Sequence, residues 1–333
     1  VGMHRLQSIS QTKAKISKQI IVDHVDLVIA AATWDRRCLT ISELAYRERP
    51  DRALLLRFKD KGSSGAVERH EGLLLEELSS ITGGLVSRMD VDVDDLKSAW
   101  ASFRRFMLEA YRTNGRPLKV VLDLNSVPRY LALSLFGLAW RSGVCSDITA
   151  VYSAAKTYQH ESPGQFTAGQ WMPMAIPTLG EGAPASSRSH LIVSAGFEGD
   201  HTRRLVSALE PDQLSIVLTA GIGADHEMVA RQANSALAAE YLLGKNDIVW
   251  LPAGDVGAAL ASLRTHLRAS GQRDDHSTVA HSFLLSGSKL ASLAVALYSL
   301  EEEVAQVYYS APDARLEAGA AEIEWITAVK VLF

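Results

Sequence analysis

With 333 residues, 47% of them hydrophobic and 22% charged, the chain has the size and balance of a globular protein of about two domains. A formal net charge of −4 gives no overall attraction to nucleic acid or to an anionic membrane, although a local basic pocket is compatible with it. The only cysteines, Cys38 and Cys145, exclude a disulfide framework and a four-thiolate zinc centre, and no apolar run approaches the ~20 residues of a membrane span, so the expected location is the cytoplasm.

Residues 3–22 are polar and basic, with Lys13, Lys15 and Lys18 among Ile16, Ile20 and Ile21, and are expected to form a lead-in helix or strand. The apolar run around 26–33 predicts a first strand, residues 37–46 a helix, and Ala53 to Phe58 a second strand. Gly62-Ser63-Ser64-Gly65 reads as a loop and lacks the Gly-Lys-Ser/Thr ending of a nucleotide P-loop. A helix is expected over 70–80, a short strand over 85–89, and a strong helix over 92–111. Its acidic start (Asp92, Asp94, Asp95) suits a positive helix end better than it suits a metal. Val120 to Asp123 predicts a strand, followed by a loop, an apolar helix through Trp140 that Gly143 ends, and a strand over 148–152. Residues 161–189, rich in Pro, Gly and Ser, read as a linker with one short strand at 171–176. The remainder repeats the plan, with strands near 190–195, 214–219, 248–251, 280–285 and 304–309 and helices between them. The alternation of Ile323, Trp325, Thr327, Val329, Val331 and Phe333 predicts a half-buried terminal strand.

The two parts resemble each other in order and spacing. Leu27 to Trp34 matches Leu191 to Phe197, Pro50-Asp51 before a strand matches Pro211-Asp212, and Val120 to Ser126 matches Phe283 to Ser288. This pattern indicates an internal duplication, with a first half over 23–160 and a second over 190–333 that carries the terminal strand. Alternating strands and helices imply α/β units with mainly parallel, doubly wound sheets.

In such sheets ligands bind beyond the carboxyl ends of the strands. Small and polar residues collect at those ends: Thr33, Trp34, Asn125, Ser126 and Arg129 in the first half, and Gly196, Phe197, Ser286, Gly287, Ser288 and Lys289 in the second. The loop 286–289 has little bulk and opens a helix, so its backbone N–H groups and the Lys289 charge suit a phosphate, although Ser and Gly also cap helices for structural reasons alone. Other patterns carry less. Gly221-Ile222-Gly223 lacks the third glycine of a dinucleotide fingerprint. His276 and His281, with Asp274 and Asp275, have no metal-ligand spacing, so no metal and no cofactor is expected. Asp123 with Asn125 lacks the remaining parts of a phosphotransfer site, and no Gly-x-Ser-x-Gly elbow is present. Arg36 and Arg37 are expected at a solvated helix start.

The stretch Leu285-Ser286-Gly287-Ser288-Lys289-Leu290-Ala291, with Val307-Tyr308-Tyr309 in the next strand, resembles the phosphate loop of CARF domains, the Rossmann-like sensors of CRISPR ancillary effectors. The duplication is similar to SAVED domains of antiviral defence systems, which resemble two such units in one chain. The resemblance covers some forty residues of the second half. The first half departs from it at Asn125-Ser126-Val127-Pro128-Arg129, where proline removes an N–H. The resemblance implies two Rossmann-like units sensing a nucleotide-type anion of the cyclic oligonucleotide kind and relaying binding to a separate effector chain. Two alternatives stay open: a metal-independent nucleotide-acting enzyme such as a ring nuclease, and a non-catalytic structural subunit of a larger defence complex.

Overall fold

A computed structural model describes residues 6–15, 20–58, 65–158, 167–183, 187–221, 224–271, 279–315 and 320–333. The chain opens with β1 (Ser8–Lys15), β2 (Ile21–Val22) and β3 (Leu27–Ala31), then a 3-10 helix (Arg36–Glu43), β4 (Ala45–Tyr46) and β5 (Arg52–Phe58). It continues through α1 (Gly65–Thr82), β6 (Val86–Val91), α2 (Leu96–Asn114), β7 (Leu118–Asp123), α3 (Arg129–Ser142), β8 (Cys145–Tyr158) and β9 (Thr167–Ala175). The repeat follows as β10 (Arg188–Ser194), α4 (Gly199–Leu209), β11 (Gln213–Ala220), α5 (Ala224–Ala233), α6 (Ser235–Glu240), β12 (Ile248–Pro252), α7 (Val256–Gly271), β13 (Val279–Leu285), α8 (Lys289–Glu301), β14 (Gln306–Arg315) and β15 (Ala320–Leu332).

Two compact units result, one of residues 1–160 with 317–333 and one of 161–316. In the first, the strand order is β1-β15-β8-β7-β3-β5-β6; in the second it is β12-β11-β10-β13-β14-β9. Counting only the parallel strands as they occur in each repeat, both sheets read 3-2-1-4-5, the doubly wound order of a Rossmann-like unit. The duplication expected from the sequence is therefore a duplication of fold.

The local reasons are visible in the residues. All five residues of β3 are buried, as are Ala53 to Leu56 of β5, because strands of a parallel sheet are covered on both faces. The helices α3 and α8 are buried on every side, from Tyr130 to Ala139 and from Leu290 to Leu300, matching sequences that are apolar all round. Gly115 and Gly143 end α2 and α3 in the left-handed conformation that an L side chain resists.

At the start of β3, Asp26 is fully enclosed and accepts from both Arg116 terminal nitrogens (2.7 and 2.9 Å), from Lys119 N (2.7 Å) and from the His24 ring (3.0 Å). Burial raises the Asp26 pKa, but these donors outweigh it and hold the carboxyl below its ordinary value. Ligand atoms of His24, Asp26 and Asp51 lie within 4.8 Å of one another. With Arg116 forked onto Asp26, the cluster serves as an ion-pair clamp on the sheet.

Of the helix or strand expected in the lead-in, residues 8–15 form a strand at the edge of the sheet, with Ser8 opposite Leu332 and Lys15 opposite Trp325. Three expectations change. The segment 161–189 is more than a linker. It contains β9, which pairs antiparallel with β14, and its next residues are hydrogen-bonded too, Glu181 N to Val304 O and Gly182 N to Ala305 O. The terminal strand β15, expected in the second half, lies in the first unit between β1 and β8. So the strand after β8 completes the second sheet, and the strand after β14 completes the first. An alternating strand fits the edge of either sheet equally well, and only the paths of the two connections settle which it joins. The residues expected as a helix over 37–46 form a short 3-10 turn and then β4. Residues 59–64 lie outside the described part, while Gly65 begins α1.

Candidate functional site

In a 3-2-1-4-5 sheet the chain leaves the first and fourth strands toward opposite faces, and the loops beyond their carboxyl ends flank the switch point at which such sheets take ligands. In the first unit those strands are β3 and β7, followed by Thr33-Trp34 and by Asn125-Ser126 up to Arg129. In the second they are β10 and β13, followed by Gly196-Phe197 and by Ser286 to Lys289. All eleven residues singled out in the sequence thus stand at one of the two switch points, five in the first unit and six in the second.

The first switch point is tightly tied. Ser126 Oγ accepts from Ala31 N at 3.0 Å and donates to the Asp123 carboxylate, and Asp123 also accepts from Asn125 N at 2.9 Å. Both residues are buried, so the hydroxyl acts as a brace between β3 and β7 rather than as a nucleophile. The Thr33 carbonyl accepts from His70 Nδ1 of α1 at 2.7 Å. Trp34 is half-buried, and Arg129, half-buried as well, is the first residue of α3.

The second is built for close approach. A Cβ on Gly287 would fall 2.7 Å from Ser194 Oγ and 2.9 Å from Ala195 O, and one on Gly196 would fall 3.2 Å from Ser286 O. The two glycines let the loops after β10 and β13 press backbone to backbone. Ser286 Oγ donates to Ser194 O and lies 3.2 Å from Thr202 Oγ1 of α4. Ser288 is the N-cap of α8, accepting from Ala291 N at 3.1 Å, and Lys289 is the first residue of that helix. The positive helix end and the Lys289 ammonium therefore point the same electrostatic way, and Arg129 stands at the corresponding place on α3. Phe197 packs edge-on against His226 of α5, ring centroids 4.6 Å apart.

Several residues enter the site that the sequence did not mark. Asn234, 2% exposed, donates to Gly196 O at 2.7 Å and to Ala230 O at 2.8 Å, fixing the loop after β10. Nothing in the local pattern at a helix junction distinguishes it. Arg37, expected at a solvated helix start, is instead largely enclosed: it forks onto Asp35 at 2.6 and 2.9 Å and donates to Ser153 O at 3.3 Å. The pair lies beside the first switch point and excludes Arg37 from the solvent face that a ligand contact would need. A cleft of about 400 Å³ lies elsewhere, lined by Ala220, Glu227, Met228, Arg231 and Trp250, and none of the eleven residues lines it.

The other sequence patterns resolve as structure. Ile222 and Gly223, and likewise Asp274, Asp275 and His276, lie outside the described residues. His281 stands in register beside His190 on β13 and β10, and both are held uncharged chiefly by burial, His190 at a pKa of about 4. Cys38 and Cys145 are buried, and burial pushes the Cys38 thiol up to about 12 and that of Cys145 higher still, so neither presents a thiolate. Among the described residues no helix is long and apolar enough to cross a membrane.

No protein-family model matches the chain, and no curated protein matches it. Among solved structures the chain is similar to one assigned as a universal stress protein from Pseudomonas aeruginosa UCBPP-PA14, at 13% identity, over 87% of this chain and 94% of that one, with a TM-score of 0.25.

Proposed function

We propose that the protein binds a nucleotide-type anion at its switch points and senses that ligand rather than turning it over. One observation carries the reading: two copies of a doubly wound unit each place small polar loops and one cationic residue, Arg129 or Lys289, at the first residue of the helix that follows the fourth strand. A phosphate at such a helix start meets the positive end of the helix dipole and a fixed positive charge. The serine hydroxyls at both sites are engaged in bracing the loops, and this arrangement favours recognition by backbone groups. The finer reading rests on the Ser286-Gly287-Ser288-Lys289 loop and the duplication. It is a CARF- or SAVED-like sensor of a cyclic oligonucleotide in a defence system that passes the signal to a separate effector chain.

Thermal unfolding of the purified protein across mononucleotides, dinucleotides and cyclic oligonucleotides tests this. A ligand present at ~100 times its dissociation constant adds about 2.7 kcal/mol, a visible shift in the midpoint. Lys289→Ala and Arg129→Ala should each reduce it. Ser288→Ala makes a poor probe, because losing the α8 cap costs about 1 kcal/mol with no ligand present. Chromatography of the ligand after incubation separates sensing from cleavage. A midpoint that no nucleotide moves would remove the reading and leave a structural subunit.

A further inference from the structure

The helix α2 (Leu96–Asn114) separates its residues by sign as well as by polarity. Leu96, Ala99, Phe103, Met107 and Ala110 are buried on one side. At 100° per residue, Lys97, Arg104, Arg105 and Arg112 fall within about 100° of arc on the opposite side. All four are exposed, and none forms an ion pair among the described residues. Glu109 is the sole carboxylate within the helix sequence, and it too is exposed and makes no ion pair. At the amino end Asp95 caps the helix and its charge acts on Lys97, so that end is partly neutralised. Arg104 lies nine residues further on, about 13 Å along the axis and beyond the ~8 Å screening length of physiological salt. Arg104, Arg105 and Arg112 therefore form a cationic row about 12 Å long, with Glu109 the one carboxylate of the helix set beside Arg105 and Arg112, on a chain whose net charge is −4.

The chemistry of the face selects its partner. A protein partner is held by buried aromatic or aliphatic anchors. Among the described residues the exposed large apolar ones are Ile21, Leu73, Leu85, Val93, Met172, Met228 and Leu242, and none lies on α2. A membrane surface would need the apolar side of the helix, and that side is committed to the core. A row of guanidinium groups with no anchor fits repeated phosphates, which bind by charge and by forked hydrogen bonds and need no apolar contact. We propose that the outer face of α2 binds the phosphate backbone of a nucleic acid through Arg104, Arg105 and Arg112, without reading base sequence.

Fluorescence anisotropy with a labelled duplex DNA and a labelled single strand, each titrated at several salt concentrations, tests this on the full chain. With three phosphates contacted, log K should fall against log salt with a slope of about −3 for duplex and about −2 for single strand, and the two arms show which form is preferred. The variant Arg104→Gln/Arg105→Gln/Arg112→Gln, altered only at solvent-facing positions, should bind at least about tenfold more weakly at low salt with a flattened slope. The charge-matched control Arg88→Gln/Arg204→Gln/Arg268→Gln, at exposed arginines on β6, α4 and α7, should bind as the unaltered chain does. Any of three results would overturn the proposal: no anisotropy change at low salt, equal loss in the two triple variants, or equal binding of polyglutamate, which would point to an acidic protein instead.

Discussion

Lowering the pH should open the second unit through His190. This residue is 3% exposed on β10, with its Nε2 2.9 Å from Ser215 Oγ on β11. His281 on β13 stands beside it in register, ring centroids 5.2 Å apart, and His266 on α7 approaches the same Ser215 Oγ at 3.4 Å. Burial first, and then the charges that His281 and His266 would carry, bring its pKa from 6.5 to about 4. The folded state thus holds His190 neutral, while the unfolded chain takes up a proton below about pH 6.5. Its contribution to stability is complete above the unfolded value and is lost as pH falls from about 6.5 to about 4. At 1.36 kcal/mol per pKa unit the full loss is about 3 kcal/mol, of which about 2 kcal/mol is gone by pH 5. His281, shifted in the same direction, adds to it. Hydrogen exchange of β10 and β13 peptides, corrected for intrinsic rates at about pH 7.5 and about pH 5, reads this locally. His190→Gln keeps a hydrogen-bonding partner for Ser215 and cannot titrate, so its opening free energy should change less by about 2 kcal/mol between the two conditions. Equal losses in the parent and the variant would refute the assignment.

Two further outcomes follow from the packing. Ending the chain at residue 316 removes β15, and with it Ile326, Val329 and Val331 from the core between β1 and β8. Limited proteolysis should then cut within β1 to β8 while β10 to β14 stay protected; protection of both sets would show that β15 is dispensable. Gly287→Ala should destabilise the protein by about 2 kcal/mol, because its Cβ meets the backbone of the β10 end. Gly257→Ala, whose nearest neighbour is Asp255 Oδ1 at 3.4 Å, should be neutral or stabilising by about 0.5 kcal/mol. Urea midpoints of the two variants moving together would contradict the close approach.

What the sequence determined by itself is the repeated unit. Runs such as Leu27 to Ala31 and Leu191 to Val193 are apolar on both faces, and parallel strands covered by helices require that, so strand identity and the duplication were legible in residue order. The positions of the candidate residues were legible too, since each lies just past the carboxyl end of a recognisable strand. Tertiary structure decided what local patterning does not encode. The destinations of β9 and β15 depend on backbone pairing, which alternation leaves open, so the terminal strand expected in one unit completes the other. The fork of Arg37 onto Asp35, the brace of Ser126 between Ala31 and Asp123, and the hold of Asn234 on Gly196 join groups distant in the chain or turned inward by the fold. The pairing of His190 with His281 needs the register of β10 against β13, and the cationic row on α2 needs to know which side of that helix the core takes. In each case composition supplied the groups. Only their arrangement in space fixed which were buried, which were paired and which were left exposed.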